Sequence, residues 1–474
     1  MAGRPRAADA AQGALRRRGH PHAAAAARRV QRQRIGGPLT APASEGISPG
    51  APLRQATFRE VFAVREFRPL FGTFLLSTAG DELARVALTV LVYQRTSSPL
   101  LSALTFAIGH LPWLLGGPFL STIADRFPRH RVLIGTDIGR AVVLAGMAIP
   151  GTPLPVLLGL LFLVSLCAPP FESARSALMA DVLDGDRYAV ATSLTNITLQ
   201  LAQVVGFLAA GALVTVLSPS AALLIDAATF VVSALWLGFG LKRRPAPSGG
   251  GDGPRSVWRD TGAGLRLIRR SPRLMAIMGV LWVATMFTYA SEGVAAPLVE
   301  ELGSSDAAAI GILLAANPLG VTIGGLVIAR LVAPERRERL VVPLVVLSLT
   351  PILVAGLVAV IAGPGTIPFA VVVGLLVVSG LGSSWLIPLN VSFVRAVPAA
   401  YRGRAFGVAV SGLYGVQAIG ALGAGLVAEG VSASGVLALS GGLGLIAVTP
   451  ALVAYRRTRG SVAGAPAGEG PSGA

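Results

Sequence analysis

Gly117-Pro118-Phe119-Leu120-Ser121-Thr122-Ile123-Ala124-Asp125-Arg126-Phe127-Pro128-Arg129-His130-Arg131 is the stretch whose reading decides the fold. An apolar run stops at Ala124. An Asp-Arg pair and two further arginines follow, and a second apolar run begins at Val132. A turn this short and this ionic, between two apolar runs of membrane length, has to lie at a water interface. Its excess of arginine assigns it to the cytoplasmic side.

Composition extends that reading to the whole chain. The 474 residues are 53% hydrophobic and only 13% charged, with a mean hydropathy of +0.69. A soluble globular chain carries about 25% charged residues, so this one is read as an integral membrane protein. The formal charge of +17 does not indicate nucleic acid, because the arginines fall between apolar runs and not along one amphipathic face. They suit loops that face anionic lipid. Cys167 is the only cysteine, which excludes a disulfide framework and a cysteine metal cluster.

Twelve apolar spans of roughly the 20 residues needed to cross a bilayer follow from position 69. They lie at 69–93, 99–124, 132–150, 153–174, 188–216, 219–241, 274–299, 307–329, 340–362, 367–394, 404–428 and 433–455. One set of turns carries Arg126, Arg129 and Arg131; Arg175 and Arg187; Lys242 to Arg273; Arg330 to Arg339; and Arg395, Arg402 and Arg404. The alternate turns carry Arg95 as their only cation, with Glu300, Glu301, Asp306 and Glu429. One span more or fewer would destroy this alternation. It places both termini in the cytoplasm of a cell-membrane protein.

The domains expected are a disordered basic tail over 1–53, a six-helix bundle over 54–241, a linker over 242–273, a second six-helix bundle over 274–457 and a tail over 458–474. Residues 54–68 and 258–273 read as interfacial helices. The halves echo each other: Gly116-Gly117 precedes an arginine-rich turn after span 2, as Gly324-Gly325 does after span 8. The expected fold is therefore an all-α membrane protein, with twelve transmembrane helices in two six-helix bundles and the site between them.

Charges inside the spans are costly, by about 2.5–3.5 kcal/mol each even on the lenient insertion scale, so they mark candidate function. Asp81, Glu82 and Arg85 lie in span 1. Asp81 and Arg85, at i and i+4, are expected to pair, leaving Glu82 without a local partner. A lone buried carboxylate suits proton transfer, and a structural ion network is the alternative. Thr285, Tyr289 and Glu292 make one polar stripe on span 7. Asn196, Gln200 and Gln203 make another on span 5, for substrate or for helix packing. His110 either relays protons or bonds a backbone carbonyl. Tyr414 and Gln417 in span 11, and Trp385 and Asn390 in span 10, are further candidates for a cavity wall. Asp226, and Asp137 with Arg140, read as packing or gate pairs. No P-loop pattern, catalytic triad or metal-ligand set stands out, so neither an enzyme nor a bound cofactor is expected.

Asp125-Arg126 with Arg129 and Arg131 resembles the motif between spans 2 and 3 of the major facilitator superfamily, with Ser121 and Pro128 where glycines are usual. Gly80 to Leu88, Phe171 to Arg175 with Asp181 to Leu183, Gln200 to Gly206 and Arg402 to Arg404 resemble the enterobactin exporter and macrolide efflux branch. The resemblance implies a secondary transporter that works by alternating access. It implies a cytoplasmic gate in which Asp125, Arg126, Arg129 and Arg131 meet Arg404, with Glu172 and Arg175 nearby. The expected activity is export of an amphipathic small molecule (a drug, macrolide or siderophore) with protons as the coupling ion. A proton-coupled importer of the same fold is the alternative, and a non-transporting membrane scaffold or sensor is a further one.

Overall fold

A computed structural model describes residues 57–115, 126–245, 254–398 and 401–459. Asp125 and both tails lie outside the described residues. Helices account for nearly all of what is described, and no strand occurs among them. In order, span 1 is Phe67–Thr96, span 2 Pro99–Leu115, span 3 Arg129–Met147, span 4 Leu154–Leu166 continued by Ala168–Val182, span 5 Gly185–Val216 and span 6 Pro219–Gly240. Span 7 is Pro272–Thr288 continued by Ala290–Gly293 and Ala295–Glu301, span 8 Ala307–Leu331, span 9 Val341–Ala362, span 10 Thr366–Ser383 continued by Leu386–Ala396, span 11 Arg402–Val427 and span 12 Ala433–Arg459. Among the described residues, nine helices are long and apolar enough to cross a bilayer by length and composition alone. Spans 1 and 3, of 30 and 19 residues, owe their lower hydropathy to the charges inside them.

Local chemistry sets several boundaries. Ser218 and Ser271 each accept a hydrogen bond from a backbone N–H three residues on, with proline at the first helical position, where its missing N–H costs nothing. Span 4 breaks at Cys167, just before Pro169-Pro170, because proline cannot donate to the helical ladder. A break in span 7, at Tyr289 and Val294, replaces the single helix expected there. A short helix, Phe58–Ala63, starts with a capping box between Thr57 and Glu60. The linker contains the helix Pro254–Arg270, which starts four residues earlier than the sequence suggests. It lies on span 11, where a Cβ on Gly264 would come within 2.7 Å of the Arg404 carbonyl.

The contacts repeat from one half to the other. Span 1 packs on spans 5 and 6, as span 7 packs on spans 11 and 12. Span 3 packs on span 6 as span 9 packs on span 12, and span 2 on span 4 as span 8 on span 10. Two seams join the halves, span 5 with span 8 and span 2 with span 11. The same repeat relates these seams to each other.

Glycine makes the first seam close. A Cβ on Gly211 would lie 3.1 Å from the Cα of Gly311, and one on Gly311 would lie 2.9 Å from the Cα of Gly211. Backbones approach this closely in membranes only where side chains are absent. Gly311→Leu is therefore expected to destabilise the protein by about 1–3 kcal/mol, the usual cost of overpacking. Thermal unfolding in detergent checks this, and an unchanged melting temperature would contradict it.

One buried apolar cluster draws on both halves, with Val86, Val90, Phe207 and Val214 against Val294, Leu298, Ile310 and Leu313. The other clusters each belong to a single half. At the same end, Tyr93 donates to Glu300 at 2.5 Å, and Glu429 accepts from the Ser98 hydroxyl at 2.5 Å and from the Leu100 N–H at 3.1 Å. The halves are thus closed over the acidic end.

Candidate functional site

A cavity of about 590 Å³ lies between the halves, walled by spans from both. Span 1 supplies Asp81, Glu82 and Arg85 because these positions sit within one helical turn, on the side turned inward. Arg85 pairs with Glu82 at 2.9 Å and not with Asp81 as its spacing suggested. Positions three apart share a helix face as well as positions four apart do. Packing decides between them, because Asp226 and Thr229 of span 6 lie against the backbone at Gly80, a Cβ there falling 2.7 Å from the Thr229 hydroxyl. Asp81 lies within electrostatic reach of Arg140 of span 3 as well as of Arg85. Glu82 is 2% exposed, and span 5 closes on it at Gly206, where a Cβ would come 2.8 Å from that of Glu82. The Arg85 guanidinium lies 5.2 Å from the Phe106 ring centroid and 5.8 Å from that of Phe207. Such stacking favours arginine over lysine.

An aromatic wall faces this pair. Phe106 and His110 stack at 5.3 Å, His110 and Tyr414 lie 5.7 Å apart, and Trp113 stacks on Tyr414 at 4.8 Å. Tyr289 of span 7 adds an edge, 6.4 Å from His110. His110 donates from Nδ1 to the Phe106 carbonyl at 2.9 Å, a carbonyl being able only to accept. Glu292 also lines the cavity, within electrostatic reach of Arg85.

A two-fold repeated bundle of broken, charge-bearing spans around one central cavity is the architecture of an alternating-access carrier. The Major Facilitator Superfamily model matches residues 70–356. The chain belongs to the major facilitator superfamily. It is a multi-pass membrane protein of that family. The uncharacterised MFS-type transporter YkuC of Bacillus subtilis is 26% identical over 180 residues, 37% of this chain and 42% of that protein. YfiS of the same organism is 23% identical over 375 residues, 77% of this chain and 87% of that protein. Rv0037c of Mycobacterium tuberculosis is 32% identical over 111 residues, 22% of this chain and 25% of that protein. The match thus spans less than half the length of YkuC and a quarter of Rv0037c. Among solved structures, a POT family transporter in complex with 5-aminolevulinic acid superposes with a TM-score of 0.67 at 13% identity, covering 85% of this chain and 98% of that one. The nucleoside transporter NupG superposes with a TM-score of 0.64 at 14% identity, covering 82% and 100%. Identities this low speak to the fold alone.

Most of the candidate residues of this major facilitator protein come together on the cavity wall. Asp81, Glu82, Arg85, His110, Asn196, Gln200, Gln203, Thr285, Tyr289, Glu292, Tyr414 and Gln417 all line it, as does Trp385. Asn390 does not: it is exposed on span 10, away from the cavity. Asp125, the centre of the expected gate, lies outside the described residues. Arg129 pairs with Asp181 of its own half, and Arg175 grips Glu172 at 2.6 and 3.0 Å while lying over the Phe74 ring. Arg126 and Arg131 are exposed, and Arg404 lies over Tyr401. Sequence reasoning missed Phe106, Trp113 and Asn317 on the wall. The spacing of 106, 110 and 113 along one helix face could have shown the first two.

Proposed function

We propose that this transporter exports an amphipathic, cationic small molecule bearing an aromatic or planar part, in exchange for protons. The observation that carries this reading is the composition of the cavity wall. Five carboxylates, Asp81, Glu82, Glu172, Asp226 and Glu292, face three arginines there, Arg85, Arg140 and Arg175. With Glu82 paired to Arg85 and Glu172 to Arg175, Glu292 remains as a carboxylate beside a continuous row of aromatic rings. Carboxylates attract a cation, and aromatic faces hold its charge and its apolar body together. Export is supported by the stretches that resemble the efflux branch, and proton exchange by the carboxylates inside the spans. The positive-inside pattern supports both termini on the cytoplasmic side.

Accumulation of tetraphenylphosphonium in a bacterial host stripped of its own pumps tests the reading. Expression should lower accumulation, and a protonophore should restore it. Raised accumulation would favour import. Unchanged accumulation of this cation and of a set of neutral drugs would favour a non-transporting role.

A further inference from the structure

Beside the cavity, inside the first half, lies a second group of charges. Asp137 and Arg140 come from span 3, Asp226 from span 6 and Asp81 from span 1. Asp137 is 0%, Asp226 1% and Arg140 4% exposed. The Arg140 guanidinium is sandwiched between the rings of Phe171 and Phe230, at 5.2 and 5.1 Å. It lies within electrostatic reach of all three carboxylates. Asp137 accepts from the Ser233 hydroxyl at 2.6 Å, and Asp226 from Thr229 at 3.3 Å. Among the described residues, Asp137 Oδ1, Asp226 Oδ2 and Arg140 Nε have no hydrogen-bond partner. Two further groups face the cluster, Cys167 of span 4 and Arg85 of span 1, the latter already paired with Glu82.

Three carboxylates around one guanidinium cannot all be ionised in such a place. The surplus charge would be buried without compensation, a state proteins avoid by binding protons or cations. The fixed arginine at the centre disfavours a metal cation. Asp81 and Asp226 also line the cavity, whereas Asp137 does not, so two of the three acids have a route to water.

We propose that Asp81 and Asp226 are the coupling-proton site of this transporter, with Arg140 as its fixed positive charge and Asp137 as the carboxylate that stays ionised beside it. The aromatic wall with Glu82, Arg85 and Glu292 is the separate substrate site. This rests on the proton-exchange reading above. A proton on each of Asp81 and Asp226 leaves one carboxylate facing one guanidinium. Loss of these protons restores the surplus charge. The cluster touches spans 1, 3, 4 and 6, so its charge state acts on the packing of the first half, while Arg85 lies between Asp81 and Glu82 and links the two sites.

The test is infrared difference spectroscopy of the purified full chain, titrated from alkaline to acid buffer without substrate. The wild-type protein should show the carbonyl stretch of buried protonated carboxyls. Asp226→Asn and Asp81→Asn should each remove about one titrating proton per molecule, while Glu292→Gln should retain the cluster's signal. Thermal melting of each variant shows whether it is folded, and Asp226→Glu should keep the signal if Asp226→Asn does not fold. A titration unchanged in folded Asp226→Asn and Asp81→Asn overturns the proposal. So does a melting temperature raised by sodium but not by choline chloride, which would assign the cluster to a metal cation. The measurement needs no transported compound. A proton signal without tetraphenylphosphonium export would sink the export reading alone, and export with an unchanged titration would sink the proton site alone.

Discussion

Arg85→Met is expected to abolish concentrative transport and to lower the melting temperature more than any other single change in the cavity. Glu82 is 2% exposed and ion-paired to Arg85 at 2.9 Å, so removing the arginine leaves a buried carboxylate alone. Breaking such a pair by deleting one partner costs about 3–5 kcal/mol. The Arg85 side chain is 31% exposed to the cavity, and its share of solvent puts the expected loss near the bottom of that range, about 3 kcal/mol. Adding Glu82→Gln in the same chain removes the unpaired charge. The double variant should recover most of the stability and none of the transport. If Arg85→Met melts like the wild type, or the double variant melts no higher than the single one, the pair does not carry the load assigned to it. Arg85→Lys should not substitute, because the guanidinium also lies over Phe106 and Phe207, and an ammonium cannot stack in that way.

The second large effect concerns the aromatic wall. Trp113 and Tyr414 stack at 4.8 Å on the cavity face, one from each half of the protein. Each contributes a π face for a bound cation and apolar surface for the rest of the ligand. A desolvated cation–π contact contributes about 2 kcal/mol, and an aromatic pair about 1 kcal/mol beyond its area. Trp113→Ala and Tyr414→Ala should therefore each weaken tetraphenylphosphonium binding by roughly tenfold or more. Binding of the radiolabelled cation to purified protein measures this. A loss in transport with unchanged binding would move these rings from the substrate site to the conformational change.

Much of this protein was legible before any coordinate. The alternation of arginine-rich and arginine-poor turns required an even count of spans, and the echo between Gly116-Gly117 and Gly324-Gly325 announced the repeat that the contacts of spans 1, 5 and 6 and of spans 7, 11 and 12 display. The embedded charges at 81, 82, 85 and 292 could be singled out because a bilayer tolerates few of them, and all four reach the cavity. Legibility failed where partners on other helices decide. Spacing offered Arg85 two neighbours of equal standing. The folded bundle pairs Arg85 with Glu82, while Arg140 of span 3 lies within reach of Asp81. Asp137, Arg140 and Asp226 looked like separate packing pairs because they stand 89 positions apart at their extremes, and only the fold sets them around one guanidinium. In the turn expected to form the gate, Asp125 lies outside the described residues, and Arg129 pairs with Asp181 of its own half.

The sequence by itself determined that the chain lies in a membrane, how many times it crosses, and that it is built twice over. Those properties follow from transfer free energies and loop charge, which are sums over local composition. The tertiary structure decided which end is closed, which carboxylate holds Arg85, and which rings and acids share a wall. Those depend on contacts between residues far apart in the chain, set by backbone approaches of a few ångströms at Gly80, Gly206, Gly211 and Gly311. In the turn from Gly117 to Arg131, the charges marked the membrane boundary, while the choice of Asp181 as partner belonged to the packed bundle.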